Sequence, residues 1–430
     1  MSVDELLARR ARHFSKAMSV HYANPIEVVR GQGAYLFDPQ GREYLDCINN
    51  VAHVGHAHPR VAEAAYEQLR VLNTNTRFLY EQLVDYAERL TALLPEPLST
   101  CFLVNSGSEA NELALRLART HTGRRGVVVL EGAYHGNTTS LIDLSPYKFD
   151  GPGGEGRQAH VQVAATPDPY GGRYGGDDSG QAYSADVAAA LERGAAAGHP
   201  AGAFFAEPLL GCAGQVEPPP GYLAGAFAAV RAAGAVCVAD EVQVGFGRVG
   251  DRFWAFETQQ AVPDIVTLGK PIGNGHPLGA VVTTPEIAES FANGMEYFNT
   301  FGGNPTSCAI GRTVLDIIAD EGLQDHAHAV GNRLVAGFTE LAERHQVIGD
   351  VRGRGLFLGV ALVSDRDTRA PAADVARSLV RRLRDEHRIL LSVEGPGDNV
   401  LKLKPPLPFS VADTDRLVAA VDRELESRAL

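Results

Sequence analysis

The sequence predicts an α/β fold, in which a mostly parallel β-sheet flanked by helices forms a large domain and a smaller α+β domain is built from both ends of the chain. Two observations predict it. Short runs of β-branched and aliphatic residues alternate with helical stretches between Phe102 and Thr284, which is the pattern of a parallel sheet covered on both faces. Beyond about Ile310, helical spacing of apolar residues dominates around one strand-like run, GLFLGVAL at 355–362, which indicates a separate α+β unit.

Chain length sets the domain organisation. A chain of 430 residues is too long for one simple core and normally divides into two or three domains. We predict that residues 1–60 form the first part of the small domain. Residues 61–310 then form the large domain, and residues 311–430 complete the small one.

The large domain contains six candidate strands. They are CFLV at 101–104, GVVVL at 126–130, AFFAE at 203–207, AVCVAD at 235–240, DIVTLG at 264–269 and GAVVTT at 279–284. The polar residues at or just after the ends of these runs include Asn105, Glu131, Glu207, Asp240 and Lys270. Because ligands bind at the carboxyl ends of the strands in such a sheet, we expect a site at this edge.

Helices and loops are predicted around these strands. A helix begins just behind Ser108, because apolar residues recur there at helical spacing, at Ala110, Leu113, Ala114, Leu117 and Ala118. The stretch from Asp150 to Ser184 is rich in Gly, Pro, Asp and Tyr without periodicity, which predicts a long surface loop. In the C-terminal unit, the buried face of an amphipathic helix is predicted at Val375, Leu379, Val380 and Leu383.

The composition excludes several classes of protein. With 45% hydrophobic and 21% charged residues, it is that of an ordinary folded enzyme. A net charge of -13 argues against a protein that binds nucleic acid or an anionic membrane, because both need a basic surface. Five widely spaced cysteines without a C-x-x-C pair indicate neither a disulfide framework nor a metal site. No secretory signal is visible, so we expect a cytoplasmic protein with reduced thiols.

Lys270 and Asp240 are the strongest candidates for chemistry. Lys270 follows an apolar strand, and a buried lysine is costly unless it is neutral or covalently used. Asp240 ends a strongly apolar strand, where a carboxylate needs a cationic partner. The two lie 30 residues apart, which is one strand-crossover-strand unit, and so share one sheet edge. The pair suits pyridoxal phosphate (PLP), which needs an amine for its aldehyde and a carboxylate for its pyridine nitrogen, although a surface lysine and a capping aspartate are the ordinary alternatives.

Other residues suit the rest of such a cofactor. Ser106-Gly107-Ser108 stands at a predicted helix start, where backbone N–H groups and the helix dipole bind phosphate, although the same residues can be only a helix cap. Tyr134 follows the next strand and offers an aromatic ring to the cofactor face, or simple packing. Glu207 and Gln243 follow further strands and can bond ring substituents, or only neighbouring loops.

Six strings that contain these residues resemble the class-III aminotransferase family, and the resemblance covers the chain from roughly residue 30 to its C-terminus. The strings are NSGSEANELALRLAR, GAYHGNT, FFAEPLLGCAGQVEPPPGY, VADEVQVGFGRVG, DIVTLGKPIGNGHPLGA and FNTFGGNP. Six strings in family order make the resemblance specific. It implies a fold-type-I enzyme with PLP as its cofactor.

The resemblance also implies residue roles. Lys270 is implied as the catalytic residue, which binds PLP as a Schiff base, and Asp240 as the partner of the pyridine nitrogen. Further residues are implied at the ring hydroxyl, the phosphate and the ring face, namely Gln243, Gly107, Ser108 and Tyr134. In this family Thr300 reaches the cofactor phosphate of the neighbouring subunit, which makes a homodimer with shared sites the expected assembly.

Four further strings resemble the phospho-lyase branch of the family more than its transaminases. They are YLDCINNVAHVGHAHP, LNTNTRFLYEQLVDYAERL, SLIDLSPYKF and LKLKPPLPFS. Transaminases of this class commonly carry an arginine for the substrate carboxylate near the C-terminal P-P motif, whereas Lys404 precedes Pro405-Pro406 here. The departure favours phosphate elimination over amino-group exchange with a keto acid.

The predicted reaction is therefore the conversion of O-phosphoethanolamine, a small phosphorylated amine, to acetaldehyde, ammonia and phosphate. A leaving phosphate needs cations beside it, for which Arg77 and Lys404 are candidates, and Asn50 and His53 can add hydrogen bonds. The alternatives are solvated surface charge for the two cations and ordinary packing for His53. The competing functions are an ω-aminotransferase and a lyase of phosphohydroxylysine or an aminophosphonate. A non-catalytic binding protein is disfavoured because both the lysine and the carboxylate are present.

Overall fold

The computed structural model describes residues 2–176 and 178–427. Its strands, in chain order, are β1 Arg30–Gln32, β2 Tyr35–Phe37, β3 Glu43–Asp46, β4 Thr100–Val104, β5 Gly126–Leu130, β6 Val161–Ala164, β7 Ala201–Ala206, β8 Val236–Asp240, β9 Ile265–Leu268, β10 Gly279–Thr283, β11 Ile348–Arg354, β12 Phe357–Asp365, β13 Ala370–Pro371, β14 Ile389–Leu390, β15 Ser392–Glu394 and β16 Val400–Leu403. The α-helices are α1 Val3–His13, α2 Pro59–Val71, α3 Glu81–Thr91, α4 Gly107–Thr122, α5 Thr139–Ile142, α6 Pro146–Phe149, α7 Ser179–Ala196, α8 Tyr222–Ala232, α9 Pro285–Phe291, α10 Pro305–Asp320, α11 Leu323–Arg344, α12 Ala373–His387 and α13 Val411–Glu426. Short 3₁₀ helices cover Ala255–Gln259 and Lys270–Gly273.

The largest sheet has seven strands in the order β4-β10-β9-β8-β7-β5-β6. The pairs from β9 through β8, β7 and β5 to β6 are parallel, whereas β10 runs antiparallel to both of its neighbours. All six candidate strands are present, so the predicted mostly parallel sheet is confirmed. The order places the ends of β8 and β9 next to each other, which brings the residues that follow them together.

Alternate residues of the central strands pack on opposite faces of this sheet. Val127 and Val129 of β5 belong to one apolar cluster, and Val128 and Leu130 belong to another. Helix α4 covers the first face, while α7 and α8 contribute to the cluster on the second. Because both faces are covered, the strands do not alternate apolar and polar residues. They therefore stand out in the sequence as continuous apolar runs.

The predicted surface loop from Asp150 to Ser184 is wrong in two places. Strand β6 lies inside it and pairs in parallel with β5, at the edge of the sheet. Helix α7 also begins inside it, at Ser179. The run VQVA is only four residues long, so its strand character comes from pairing with β5 rather than from a recognisable local pattern.

Two smaller sheets lie outside the large one, and one of them combines strands from both ends of the chain. One has the order β1-β2-β3-β14, in which β14 pairs in parallel with β3. The other has the order β11-β12-β16-β15. Helix α12 buries Leu379, Val380 and Leu383, and Val375 is partly buried, as its amphipathic pattern predicts. These sheets agree with a small unit built from both ends, while the exact boundaries after residues 60 and 310 stay predictions.

Candidate active site

A cleft of about 370 Å³ lies at the carboxyl ends of the central strands. Its lining includes eight of the predicted site residues, namely Ser106, Gly107, Ser108, Tyr134, Glu207, Asp240, Gln243 and Lys270. These residues follow five different strands, and the strand order brings them to one place, as expected for a site at this edge of an α/β sheet.

Asp240 lies at the buried end of the cleft with three hydrogen-bond donors around it. Its Oδ2 atom accepts hydrogen bonds from Asn111 Nδ2 and His135 Nδ1, both at 2.8 Å, and its Oδ1 atom accepts one from the backbone N–H of Val242 at 3.1 Å. A carboxylate only accepts, so the Nδ1 atom of His135 carries the proton. Three donors satisfy both oxygens of this buried carboxylate, and a carboxylate at this place suits a protonated ring nitrogen.

Lys270 begins the 3₁₀ helix that follows β9, and its φ of +24° departs from the usual right-handed range. The chain around it is closely packed. A Cβ atom added to Gly269 would lie 3.1 Å from the Cα atom of Gly107, and one added to Gly107 would lie 2.8 Å from Cγ1 of Val242. Glycine at these two positions lets the turns after β4, β8 and β9 meet, which holds Lys270 against the start of α4.

The start of α4 provides an anion site. Ser106 caps this helix, and its hydroxyl accepts the backbone N–H of Glu109 at 3.1 Å. The hydroxyl of Ser108 bonds the side chain of Asn137 at 3.0 Å. The first N–H groups of a helix have no partner within it and attract negative charge. The N–H groups of Gly107 and Ser108 are thus suited to a phosphate, while the Ser106 hydroxyl is already used as a cap.

A chain of buried polar residues extends from the cleft lining at Glu207 and Gln243 to Lys404 and Asn50, which lie behind that lining. Gln243 Nε2 donates to Glu207 Oε2 at 3.5 Å, and Gln243 Oε1 accepts from Lys404 Nζ at 2.7 Å and from Asn50 Nδ2 at 3.2 Å. Burial, with the charge of Lys402, lowers the pKa of the Lys404 amine to about 7. Burial, with the charge of Asp240, raises the pKa of Glu207 to about 7. Lys404 and Asn50 therefore join the predicted ring-side residues in one network.

Tyr134 places its ring in the cleft, next to a second aromatic ring. The rings of Tyr134 and Tyr147 meet edge to face with centroids 6.1 Å apart, and the amine of Lys148 lies within 5.8 Å of both centroids. Burial raises the pKa of Tyr134, so its phenol stays protonated at neutral pH. A neutral aromatic ring at this position can cover a flat cofactor.

Three other predicted residues lie away from the cleft. Both ring nitrogens of His53 are engaged by the protein, one at 2.7 Å from the Phe246 carbonyl and one at 3.1 Å from Arg248. Both nitrogens thus have partners within the chain, and the predicted substrate contact of His53 stays a prediction. Arg77 is exposed and pairs with Glu296 at 3.0 Å, and Thr300 is also exposed. Within one chain, neither Arg77 nor Thr300 lines the cleft, so their roles stay predictions.

Two polar residues around Asp240 were not identified as its partners from the sequence. Asn111 lies on α4, one turn after Gly107, and His135 follows Tyr134 in the GAYHG string. The sequence offered only a histidine in the turn after β5 and an amide on the buried face of a helix. Their common partner is 129 and 105 residues away, respectively, so neither signal indicated the contact.

The residues of the cleft fit PLP. Asp240 matches the pyridine nitrogen, Lys270 matches the aldehyde, and the start of α4 matches the phosphate. Among the described residues, the buried atoms Glu207 Oε1 and Asn111 Oδ1 have no hydrogen-bond partner. Buried polar atoms are rarely left unsatisfied, so unpartnered atoms in the cleft lining are consistent with a site built for a polar ligand.

The chain belongs to the class-III aminotransferase family, because the family model described as "Aminotransferase class-III" matches residues 17–425. It is accordingly a PLP-dependent enzyme of fold type I, and the resemblance inferred from the sequence motifs is confirmed.

The chain is also similar to named relatives. It is 51% identical to "Alanine--glyoxylate aminotransferase 2-like" of Drosophila melanogaster, over 97% of this chain and 86% of the relative. It is 42% identical to "Ethanolamine-phosphate phospho-lyase homolog 1" of Caenorhabditis elegans, over 99% of this chain and 94% of the relative. A phospholyase from Arthrobacter, solved in complex with phosphoethanolamine, is 43% identical with a TM-score of 0.93, covering 98% of this chain and 99% of that chain. The relatives' names thus divide between aminotransferase and phospho-lyase.

Proposed function

We propose that this enzyme is a phospho-lyase that converts O-phosphoethanolamine to acetaldehyde, ammonia and phosphate. The observation that carries the proposal is the amine of Lys404, which is 2% exposed and bonds Gln243 at 2.7 Å beside the cleft. A buried lysine next to the cofactor residues gives a point charge for a phosphate group. The likeness to a phospholyase solved with phosphoethanolamine supports the same substrate class.

The residues of the chain divide the work of this reaction. PLP, when bound, withdraws electrons from the substrate carbon that bears the nitrogen. Lys270 holds the cofactor and removes the proton from that carbon, and Asp240 keeps the ring nitrogen protonated. Breaking the carbon–oxygen bond sends its electron pair to the leaving phosphate, whose negative charge Lys404 and Asn50 stabilise. Water then hydrolyses the released two-carbon enamine to acetaldehyde and ammonia.

The proposed assembly is a homodimer in which Arg77 and Thr300 serve the cleft of the second copy. Both are exposed, and each is followed by large exposed apolar side chains, Phe78 and Leu79 in one segment and Phe301 in the other. Apolar side chains exposed together on a surface indicate an interface. A second copy covering this surface would bury them and bring two polar groups to a cleft they cannot reach within their own chain.

A second candidate function is amino transfer from a primary amine to a keto acid. The relative from Drosophila melanogaster, at 51% identity, carries an aminotransferase name. An arginine for a substrate carboxylate is common near the corresponding P-P motif of transaminases, but Lys404 occupies that position. A compact ammonium is suited to a phosphate point contact more than to bidentate carboxylate binding, so we rank the lyase first. A lyase of phosphohydroxylysine or an aminophosphonate would use the same cation.

Product analysis separates these reactions. Purified enzyme with PLP should release equal amounts of phosphate and acetaldehyde from phosphoethanolamine, and should not transfer the amino group to pyruvate or 2-oxoglutarate at a comparable rate. Lys270→Ala should abolish both the release and the near-visible absorbance of bound cofactor. Turnover with a keto acid but without phosphate release would assign the chain to the aminotransferases.

No helix among the described residues has both the length and the apolar character needed to cross a membrane. The five cysteines form no disulfide in the described part of the chain, and their reduced state stays a prediction. We propose a cytoplasmic location on the sequence evidence given above, and it stays a prediction. Cell fractionation with an antibody against the chain would test it.

A further inference from the structure

Arg248 is a fully buried cation that the proposed reaction does not use. It lies in the turn after β8, in the same loop as Gln243, and its side chain is 0% exposed. Its Nη1 atom donates to the carbonyls of Leu356 at 2.9 Å and Pro405 at 2.8 Å, and its Nη2 atom donates to His53 Nδ1 at 3.1 Å. Burial lowers the pKa of the guanidinium to about 9. All three acceptors are neutral, so no carboxylate bonds this cation to offset the free-energy cost of removing it from water.

His53 completes this arrangement in one fixed tautomer. The Phe246 carbonyl can only accept, so His53 Nε2 carries the proton of the 2.7 Å hydrogen bond between them. The guanidinium can only donate, so His53 Nδ1 offers its lone pair to Arg248. Burial and the charge of Arg248 hold the pKa of His53 well below its usual range. The neutral imidazole thus connects the Arg248 side chain to the backbone of Phe246, which lies in the same loop as Arg248.

These contacts fix the segment that carries Lys404. Arg248 binds the carbonyl of Pro405, the next residue in the chain. The backbone N–H of Lys404 donates to the Cys47 carbonyl at 2.8 Å, and the N–H of Leu407 donates to the His53 carbonyl at 2.7 Å. The segment from residue 404 to 407 is therefore held at both ends by the segment from residue 47 to 53, and in its middle by Arg248.

We propose that Arg248 is a positioning residue that holds the amine of Lys404 where the substrate phosphate binds. We call this place the anion subsite, which is distinct from the cofactor-phosphate site at the start of α4. The inference rests on the proposed function in one respect, namely that Lys404 meets the substrate phosphate. A lysine side chain has a flexible four-carbon stem, so its amine stays on Gln243 Oε1 only if its backbone is fixed. Arg248 supplies that fixation from outside the cleft wall, and His53 orients Arg248.

The first test compares variants of Arg248 and His53 in the holoenzyme. Arg248→Lys replaces the planar guanidinium with a single ammonium, which does not span the two carbonyls and His53. We therefore expect the binding of inorganic phosphate, measured by calorimetry, to weaken about tenfold. This is the effect of one displaced charge-assisted hydrogen bond. Because Lys404 also stabilises the leaving phosphate, kcat/KM for phosphoethanolamine should fall by at least the same factor, with the near-visible absorbance of bound cofactor little changed. Unchanged phosphate binding in a folded Arg248→Lys protein would overturn the proposal.

Two variants of His53 test the same role if Arg248→Lys does not fold. Asparagine can place an acceptor near the Nδ1 position, whereas glutamine can place a donor near the Nε2 position. His53→Asn preserves the contact with Arg248 and should bind phosphate almost normally, while His53→Gln loses that contact and should bind it about as weakly as Arg248→Lys. Equal binding by the two folded variants would contradict a route through Arg248.

A double-mutant cycle separates this inference from the proposed function. Lys404→Met alone tests the proposed function: unchanged phosphate binding would remove Lys404 from the anion subsite, and with it the inference. If Lys404→Met weakens binding, Arg248→Lys should add no further loss in that background, because its target is already gone. A further loss of the same size as in the wild-type background would leave the proposed subsite intact and refute the positioning role.

Discussion

The two halves of the active site are built differently. The cofactor half consists of side chains from residues 106 to 270, lies at the ends of one sheet and surrounds Asp240 with three donors. The substrate half combines Lys404 and Asn50 from remote segments with the exposed Arg77. In our proposal the second copy adds Thr300 to the first half, at the cofactor phosphate, whereas the second half depends on contacts between remote segments and on Arg77 of the second copy. We therefore expect the cofactor half to carry the chemistry that the family shares, and the substrate half to determine which substrate is used.

Replacing Asp240 should produce the largest effect of the substitutions that test this contrast. Asp240→Asn keeps the size of the side chain but removes the charge that pairs with the ring nitrogen, so we expect kcat to fall on the order of 10²–10³-fold, the size typical of one lost electrostatic contact in an active site. Steady-state kinetics with phosphoethanolamine measures it.

Asp264→Asn is the matched control for Asp240→Asn. Asp264 is a carboxylate just before β9, at the opposite edge of the same sheet, where it pairs with Arg231. Its substitution should lower thermal stability while leaving kcat close to that of the wild type. A similar fall in kcat for both variants would mean that the carboxylate at the cleft has no special role.

Mixed dimers test whether the substrate half is shared between subunits. Arg77→Ala should raise the KM for phosphoethanolamine about 10- to 100-fold, as expected for one lost charge-assisted contact to phosphate. If Arg77 serves the second copy's cleft, a dimer of one Lys270→Ala and one Arg77→Ala chain has one intact site and regains a low KM. If Arg77 serves its own cleft, mixing restores nothing.

Arg89→Ala is the control for Arg77→Ala. Arg89 is exposed and pairs with Asp316 at 3.0 Å, much as Arg77 pairs with Glu296. Loss of this surface pair should leave the KM unchanged, because such pairs contribute little. An equal rise in KM for both variants would point to a general surface-charge effect on substrate binding.

The smallest expected effect is a pH dependence of phosphate binding. The pKa of Lys404 is lowered to about 7 by burial and the charge of Lys402, so its amine is charged below that pH and loses its proton as the pH rises through it. Calorimetry should show inorganic phosphate binding weaken between pH 7 and pH 8 by up to about tenfold, the limit for one coupled proton. Lys404→Arg keeps its charge at neutral pH and should remove most of this dependence. An unchanged slope in the variant would show that another group controls it.

The sequence predicted the cofactor half better than the substrate half, for a physical reason. Strand ends and helix starts have local patterns, and these were enough to gather Asp240, Lys270 and the turn before α4 at one edge. Partners across the fold have no local pattern. The contact of His53 with Arg248, 195 residues away, is not visible in its own segment. Strand β6 was missed because its main support is the pairing with β5.

The bond between the Lys404 N–H and the Cys47 carbonyl, together with the pairing of β14 and β3, has a consequence during synthesis on the ribosome. The segment from residue 106 to 270, which carries the groups that receive the coenzyme, emerges well before the segment that contains Lys404. The wall containing Lys404 closes only when residues near 390 to 407 return to strand β3 and the turn beyond it. In our proposal, the place where the substrate phosphate binds is therefore the last part of the site that the growing polypeptide completes.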